Sequence, residues 1–580
     1  MLKTSNDQRK LLPNFEHLFA TTAQAPGGVA RLRELILTLA VQGKLVPQDA
    51  NDEPASELLK KIRAEKDRLI AEGKMKKDKP LAEITEEEKP FELPVGWEWV
   101  RLGNLGEIVG GGTPKSDFSE YWTDDGIAWV TPADLYGKKD IFISRGRRDI
   151  TELGLNSSSA KLMPKGAVLF SSRAPIGYVA ISSNPISTNQ GFKSCVPYFA
   201  EFNKFIYWHL KYSAPIIDAS ASGTTFKEIS GRDFSEVLIA LPPVAEQSRI
   251  VARVEELMRL CDALEEKGRL EHTQHQQLLQ AMLDSLTQTT DAQELARHWQ
   301  RLAQHFDLLI DRPEAVDALE QTILQLAVRG LLVPQDPSDE PASELLKKIR
   351  AEKDRLIAEG KIKKDKPLAA IGDDEKLFEL PEEWDWVRLG NIAKVLSGYA
   401  FSSEDFSTKS GCRVIKITNA GVGEFYITDD YLPESFTKQY HNFKAFEGDL
   451  IIALTRPYIS NGLKISMCPK LYHGALINQR VGSVRVENYF NNEFLFIILQ
   501  SAYVLNIYKE RFNSSGLQPN LKVSDVTELL IPLAPLAEQS RIVARVKELR
   551  ALCQQLREKL SQARATQTQL AQAWVEQVAA

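Results

Sequence analysis

PASELLKKIRAEKDRLIAEGKMKKDKP, at Pro54–Pro80, is written again at Pro341–Pro367, 287 residues downstream, with Ile362 standing where the first copy has Met75. Outward from this block the same offset relates LAVQGKLVPQD (Leu39–Asp49) to LAVRGLLVPQD (Leu326–Asp336), and GWEWVRLGN (Gly96–Asn104) to EWDWVRLGN (Glu383–Asn391). A further block, AEQSRIVARV, occupies Ala245–Val254 and Ala537–Val546, offset by 292. Between these matched edges lie Gly103–Pro243 and Gly390–Pro535, similar in length and largely different in sequence. Stacked repeat arrays have periods of roughly 20–50 residues, so a far longer one means a duplicated domain. The plan is constant, variable, constant, twice over: one scaffold carrying two different cargoes.

At 580 residues the chain is too long for one core, and three to five compact units are expected. With 43% apolar and 26% charged residues it is neither disordered throughout nor a disulfide-stapled miniature. No apolar run approaches the roughly 20 residues of a membrane-crossing helix, and MLKTSNDQRK leads into no signal-peptide core. Five scattered cysteines without a C-x-x-C pair point to a reducing interior, and the expected location is cytoplasmic, with no membrane partner. The net charge of −6 argues against coating nucleic acid through bulk positive charge. Lys+Arg against Asp+Glu is 15 to 15 over residues 97–240 and 15 to 14 over 384–530, so the variable segments are neutral and any positive reading surface is local.

The AEQSRIVARV blocks open helices. Ile250, Val254, Leu257, Cys261 and Leu264 step by 4, 3, 4, 3, and Ile542, Val546, Leu549, Cys553, Leu556 and Leu560 continue that alternation, which is the seam of a coiled coil. Prolines 242–243 and 535 precede them, where a missing N–H costs nothing. Two such seams are expected to pack antiparallel as a rod with a pseudo-two-fold axis, although core packing is the plainer use of a heptad. Shorter helices are expected near 29–42 and 316–329, closing on Gly43 and Gly330, and near 54–72 and 341–359, closing on Gly73 and Gly360. The lysine runs after Gly73 and Gly360 read as solvated loop tips, with DNA clamps as the alternative.

The variable blocks change texture. Runs such as GIAWVTP (126–132), AVLFSSR (167–173), RVIKIT (413–418) and DLIIALTR (449–456) alternate with Gly, Ser, Pro and Asn turns, with short helices near 202–212 and 492–508. The expected class is α+β: two mixed α/β domains joined by long helices. The expected boundaries are a loosely ordered tail at 1–27, a helical region at 28–96, a first variable domain at 97–242, a central helical region at 243–383, a second variable domain at 384–534 and a distal helix at 535–580.

Short polar signatures recur in the same order in both variable blocks. Ser172-Arg173-Ala174-Pro175 matches Thr455-Arg456-Pro457, and Asn189-Gln190 matches Asn478-Gln479, which Arg480 follows. Ser222-Gly223-Thr224-Thr225-Phe226-Lys227 corresponds loosely to Ser515-Gly516-Leu517-Gln518-Pro519-Asn520, with Lys522 beyond. Arg, Asn, Gln, Thr and Lys are the side chains that hydrogen-bond base edges and phosphates. Shared positions hold backbone more readily than they read bases, so base reading is expected from loops that differ. Those are Gly110–Ser116, with Gly112, Thr113, Lys115 and Ser116, and Ser397–Ser403, with Tyr399 and Ser402.

Reaction chemistry is missing. GGGTPKS has Pro114 where a phosphate loop needs Gly before Lys-Ser. No Asn/Asp-Pro-Pro-aromatic tetrapeptide, no Gly-rich cofactor loop and no histidine set with metal-ligand spacing occurs. No catalytic residue, metal or cofactor is assigned to this chain.

LP-V-G-WEWVRLGN from Leu93 and LP-E-E-WDWVRLGN from Leu380 precede the variable blocks, and AEQSRIVARV follows Leu241-Pro-Pro-Val and Leu533-Ala-Pro-Leu. With PASELLKKIRAEKDRLIAEGK in both copies, the chain resembles the specificity subunit of a bacterial type I restriction-modification system, type IB in character. The resemblance implies two target recognition domains, each reading one half of a bipartite, asymmetric sequence in double-stranded DNA, and helices that set the spacing. It implies two methyltransferase subunits, holding S-adenosylmethionine and methylating adenine, and two restriction subunits using ATP and Mg. Two alternatives stay open: a structural adaptor whose variable blocks bind proteins, and a methyltransferase fused to its own specificity region.

Overall fold

A computed structural model describes residues 22–75, 80–221, 227–289, 292–360, 367–459, 462–486, 489–513 and 519–579. The chain divides into two compact units, one reaching to Glu271 and including Arg564–Ala580, the other spanning His272–Ala563. The helices Val244–Gln288 and Leu536–Ala579 each begin in one unit and end in the other. Two mixed α/β domains joined by long helices is thus the architecture, as the sequence leads one to expect.

In the first unit, helices Gly28–Val41 and Ala55–Ala71 end on Gly43 and Gly73, both in the left-handed region at φ 69°. A side chain there would meet the Cβ penalty that glycine avoids, and the second unit repeats the device. The variable domain is clasped at its edges by strands Glu98–Arg101 and Leu238–Leu241, antiparallel with Glu98 opposite Leu241. Inside the clasp lie a five-stranded sheet, in which Gly106–Gly110, Lys193–Pro197, Val168–Ser172, Ile176–Ser182 and Phe142–Ile143 are neighbours in that order, and a smaller four-stranded one. The smaller sheet orders Trp122–Thr123, Arg148–Ile150, Ile127–Val130 and Ser187–Thr188. Helix Asn203–Ser220 packs Phe205, Ile206 and Leu210 into one core with Val168, Phe170 and Ile181 of the larger sheet. The seam residues Ile250, Val254, Leu257 and Cys261 enter the same core beside Leu32 and Ile36, so this stretch serves as local core packing. At the far end of the other long helix, Val575 and Val578 pack on Leu35 and Leu39. Thr22 and Ala25, within the stretch 1–27 expected to be loosely ordered, are buried, and the Thr22 carbonyl lies where a Cβ on Gly28 would need to be. Residues 1–21 lie outside the described residues, as do 76–79 and 361–366, on which most of the lysine runs fall.

The second unit is built the same way. Helices Pro313–Val328 and Ala342–Ala358 end on Gly330 and Gly360 at φ 71°, and the clasp pairs Asp385–Arg388 with Leu530–Leu533. Its larger sheets are one of four strands (Ala393–Ser397, Val481–Val486, Leu450–Ala453, Ile465–Met467) and one of three (Tyr431–Leu432, Cys412–Ile415, Leu476–Ile477), beside the short pair Tyr458–Ile459 and Gly462–Leu463. Ile542, Val546 and Cys553 are buried with Leu319 and Ile323, and the bridge expected as helix contains Ala292–Gln304 and Phe306–Leu309.

One polar network fastens clasp to long helix in both units. Trp97 Nε1 donates to Glu246 Oε2 at 2.9 Å and Gln48 donates to Oε1 at 3.3 Å, while Arg249 holds Asp52 at 2.5 Å. Trp384, Gln335, Glu538, Arg541 and Asp339 repeat it at 2.9, 2.8 and 2.6 Å. Burial raises the Glu246 carboxyl above its ordinary range, and the Trp97 and Gln48 donors oppose the shift. A carboxyl whose folded-state pKa is raised favours the fold below its unfolded value and loses that contribution as pH rises through the folded one. Trp97→Phe removes a donor from a buried carboxylate and should cost about 1–3 kcal/mol at neutral pH. Near pH 4, where the carboxyl is protonated, the loss should be smaller. Urea midpoints of Trp97→Phe and Trp384→Phe at both pH values check this.

Candidate nucleic-acid interface

The Gly110–Ser116 loop and Asn189-Gln190, far apart in sequence, meet. Gly112 N–H donates to Thr188 O at 2.9 Å, Thr113 Oγ1 donates to the Gln190 side-chain carbonyl, and the Asn189 carbonyl lies 1.9 Å from where a Cβ on Gly111 would stand. Only glycine permits that approach. The second domain repeats the cradle: a Cβ on Gly398 would lie 2.2 Å from Asn478 O, Tyr399 N–H donates to Ile477 O at 2.8 Å, and Gln479 N–H donates to Tyr399 O at 3.0 Å. Asn189 N–H donates to Val130 O and Asn478 N–H to Ile415 O, both at 2.9 Å, and Asn189 Oδ1 accepts from Gly191 N–H at 2.9 Å. Asn189 and the buried Asn478 therefore shape the turn, while Gln190, Gln479 and Arg480 are exposed on it.

Around the shared frame the surroundings differ. In the first domain Thr113, Lys115 and Ser116 are exposed, Gly112 O accepts from Trp129 Nε1 at 3.0 Å, and Lys115 O accepts from Trp122 Nε1 at 3.2 Å, with the Lys115 ammonium over Phe118. In the second, Tyr399 packs at tilted angles against Tyr440, Phe401 and Phe443, 4.6–5.3 Å between ring centres, beside the exposed Ser402.

The arginine match shifts by one residue. Arg173 forms a β-bridge with Glu228, and Thr455 forms the corresponding bridge with Asn520. Ile229 N–H donates to Ser172 O and Leu521 N–H to Leu454 O. Ala174 and Arg456, each preceding a proline, share a positive φ of 45° and 48°. Arg456 is thus the counterpart of Ala174, and Arg173 that of Thr455; the proline fixes the frame, and the arginine does not. Arg173 faces Glu228 at 3.8 Å, whereas the exposed Arg456 uses its backbone N–H on Pro519 O. Lys227 is held by Asp218 at 3.1–3.3 Å. Lys522 is also out of register with Lys227: it precedes helix Val523–Thr527 where Ser230 precedes Gly231–Ser235, and its N–H donates to Asp525 as Ser230 receives from Asp233. Asn520 and Lys522 are exposed. Thr224, Thr225 and Gln518 lie outside the described residues.

Sequence reasoning passed over Ser144-Arg145-Gly146-Arg147-Arg148. Counting charge across whole domains averaged it away, although three arginines in four residues are a visible local signal. All three are exposed beside the same loop system, since a Cβ on Gly146 would lie 2.3 Å from Trp129 O. Among the described residues, no three His, Cys, Asp or Glu side chains are grouped to hold a metal, and no helix is long and apolar enough to cross a membrane.

The family model described as type I restriction modification DNA specificity domain matches twice, at residues 94–273 and 381–563, each span taking in one clasp, one variable domain and the start of one long helix. The specificity subunit of the type I restriction enzyme EcoAI from Escherichia coli is 41% identical over 567 residues, covering 94% of this chain and 93% of that one. The EcoEI specificity subunit, also from Escherichia coli, is 34% identical with the same coverage. A solved chain from a study of complex assembly and conformational transition of the type I R-M system covers 84% of this chain and 99% of its own, at 18% identity and a TM-score of 0.51, a likeness of fold. The paired match and the full-length relatives carry one conclusion: this chain belongs to the specificity subunits of type I restriction-modification systems.

Proposed function

We propose that the chain reads a two-part, asymmetric sequence in double-stranded DNA, one half with each variable domain, and that its repeated helical regions set the spacing and dock two methyltransferase subunits. The observation that carries the reading is one backbone cradle, Gly111 on Asn189 and Gly398 on Asn478, furnished with different side chains in the two domains. A common frame with unlike furniture suits two readers of unlike words. The chain is the non-catalytic member of its system. S-adenosylmethionine belongs to the methyltransferases, and ATP and Mg to two restriction subunits. Phosphate neutralisation is shared with those partners, which suits variable domains of balanced charge.

Footprinting of the assembled complex on duplex DNA tests this. Protection of two short segments separated by unread bases is expected; protection without sequence preference would favour the protein adaptor instead. Glu265–Glu271, an exposed stretch of the first long helix, offers a second test. Seven inserted residues keep the seam in phase and add about 10 Å at ~1.5 Å each, or three base pairs at ~3.4 Å. The spacer should lengthen or target binding should be lost, and an unchanged spacer with full methylation would count against the helix as a ruler.

A further inference from the structure

Arg148 opens the strand Arg148–Ile150, exposed, with its guanidinium carbon 3.5 Å from the centre of the Trp122 ring and 6.0 Å from that of Trp129. The two indoles meet edge to face at 5.1 Å, and both are tied to the Gly110–Ser116 loop through Lys115 O and Gly112 O. Its neighbours are engaged otherwise: Arg145 holds Asp149 at 3.2 Å and Asp125 at 3.5 Å, and Arg147 lies 3.7 Å from Asp134. Among the described residues Arg148 has no carboxylate partner. A guanidinium laid on an indole keeps its N–H donors in its own plane, directed past the ring edge. The stack also restricts the side chain beforehand, so less freedom is lost when a second partner arrives. Such a fork fits two acceptors side by side, the O6 and N7 of guanine or two phosphate oxygens.

At the equivalent position the second domain has no such arginine. Strand Cys412–Ile415 lies where Ile127–Val130 does, each running parallel to the strand that leads into Asn-Gln. The residue opposite Val414 in the continued register is Asp430, whose carbonyl accepts from Val414 N–H and whose carboxylate is held by Lys416 at 2.6 Å. Where one domain offers an unclaimed arginine, its copy offers a neutralised aspartate.

We propose that Arg148 is a DNA-contacting residue of the first variable domain, presenting a pre-ordered bidentate fork to the duplex, with Trp122 and Trp129 as positioning residues. The proposal rests on the reading of the chain as a DNA recogniser and adds the group that does the touching. The acceptor chemistry is shared by guanine and phosphate, and the two differ in what the fork's loss does.

The test uses the complete complex with its methyltransferase subunits, on the target identified by mapping methylated adenines in cells that carry the system. Arg148→Ala should weaken binding to that target by about tenfold to a hundredfold, and Arg148→Lys should restore little, because an ammonium is no fork. Confinement of the loss to one base position of one half-target places the fork on guanine. A uniform loss across sequences, with the salt slope reduced by about one, places it on phosphate. Retained discrimination at the other half-target shows that the variant is folded. Arg148→Ala binding within about twofold of the wild type, or losing both half-targets together, overturns the arginine's role while leaving the recogniser reading intact. A wild-type complex with no two-part target overturns both.

Discussion

Exchanging residues 97–242 for the corresponding block of another specificity subunit is expected to replace one half of the methylated sequence and leave the other half as it was. The cut points fall on a frame built to be constant. Strands Glu98–Arg101 and Leu238–Leu241 bring the ends of the block together, so the insert enters and leaves at one place. Trp97, just inside the exchange, and Glu246, just outside it, close the join through a pair that the second unit repeats with Trp384 and Glu538. Arg101, 5% exposed, ties the clasp to Glu88 of the preceding region, as Arg388 does to Glu375. An incoming block that keeps this Trp and Arg meets the partners it left behind. Each mismatched base pair costs roughly 1–3 kcal/mol, so a half-target changed at several positions is no longer bound at its old sequence. Single-molecule sequencing of methylated adenines in cells carrying each version reads the outcome. An unaltered target, or one altered in both halves, would end the idea of one domain per half.

What the sequence discloses here is what duplication repeats. The constant blocks disclose helices, left-handed glycines and the domain edges, because the same residues recur where the same backbone is required. Asn189-Gln190 and Asn478-Gln479 are legible for the same reason, and the two asparagines occupy the same turn, their backbone N–H groups donating to Val130 O and Ile415 O. The Arg173–Arg456 match misleads because a short motif carries no frame of its own; the bridges to Glu228 and Asn520 and the shared φ of Ala174 and Arg456 supply it. Arg148 eluded reading because its character depends on Trp122, 26 residues earlier in the chain, and on carboxylates that other arginines take. The loops Gly110–Ser116 and Ser397–Ser403 differ between the two copies, so repetition, the strongest signal in this chain, is silent about them.

Repetition with a compensated difference gives the second large expectation. His209, fully buried in helix Asn203–Ser220, accepts from Ala240 N–H at Nε2, 3.1 Å away, and its Nδ1 meets Ser213 Oγ at 3.2 Å. Leu102 N–H donates to Val237 O, and bonded pairs alternate along an antiparallel ladder, so Ala240 N–H points away from its strand partner Trp99 and needs this acceptor. In the second unit Pro532 stands opposite Trp386 and has no N–H, and the helix that starts at Asn492 as the other starts at Asn203 carries Ile498, also fully buried, in place of the histidine. Histidine with alanine and isoleucine with proline are two solutions to one accounting of donors. His209→Ile alone strands a buried N–H, and Ala240→Pro alone strands an imidazole nitrogen; each should destabilise the first unit by about 1–3 kcal/mol. The double variant should recover most of the loss, a coupling that a double-mutant cycle on urea midpoints measures. Acid separates the two solutions as well. Burial pushes the His209 pKa down to about 3, so the fold keeps its full contribution above the unfolded value of 6.5 and loses it as pH falls toward 3, on the order of 5 kcal/mol across that window. The wild-type first unit should therefore unfold in acid earlier than the double variant, and a pair of coincident acid transitions would show that His209 is not the group that breaks it.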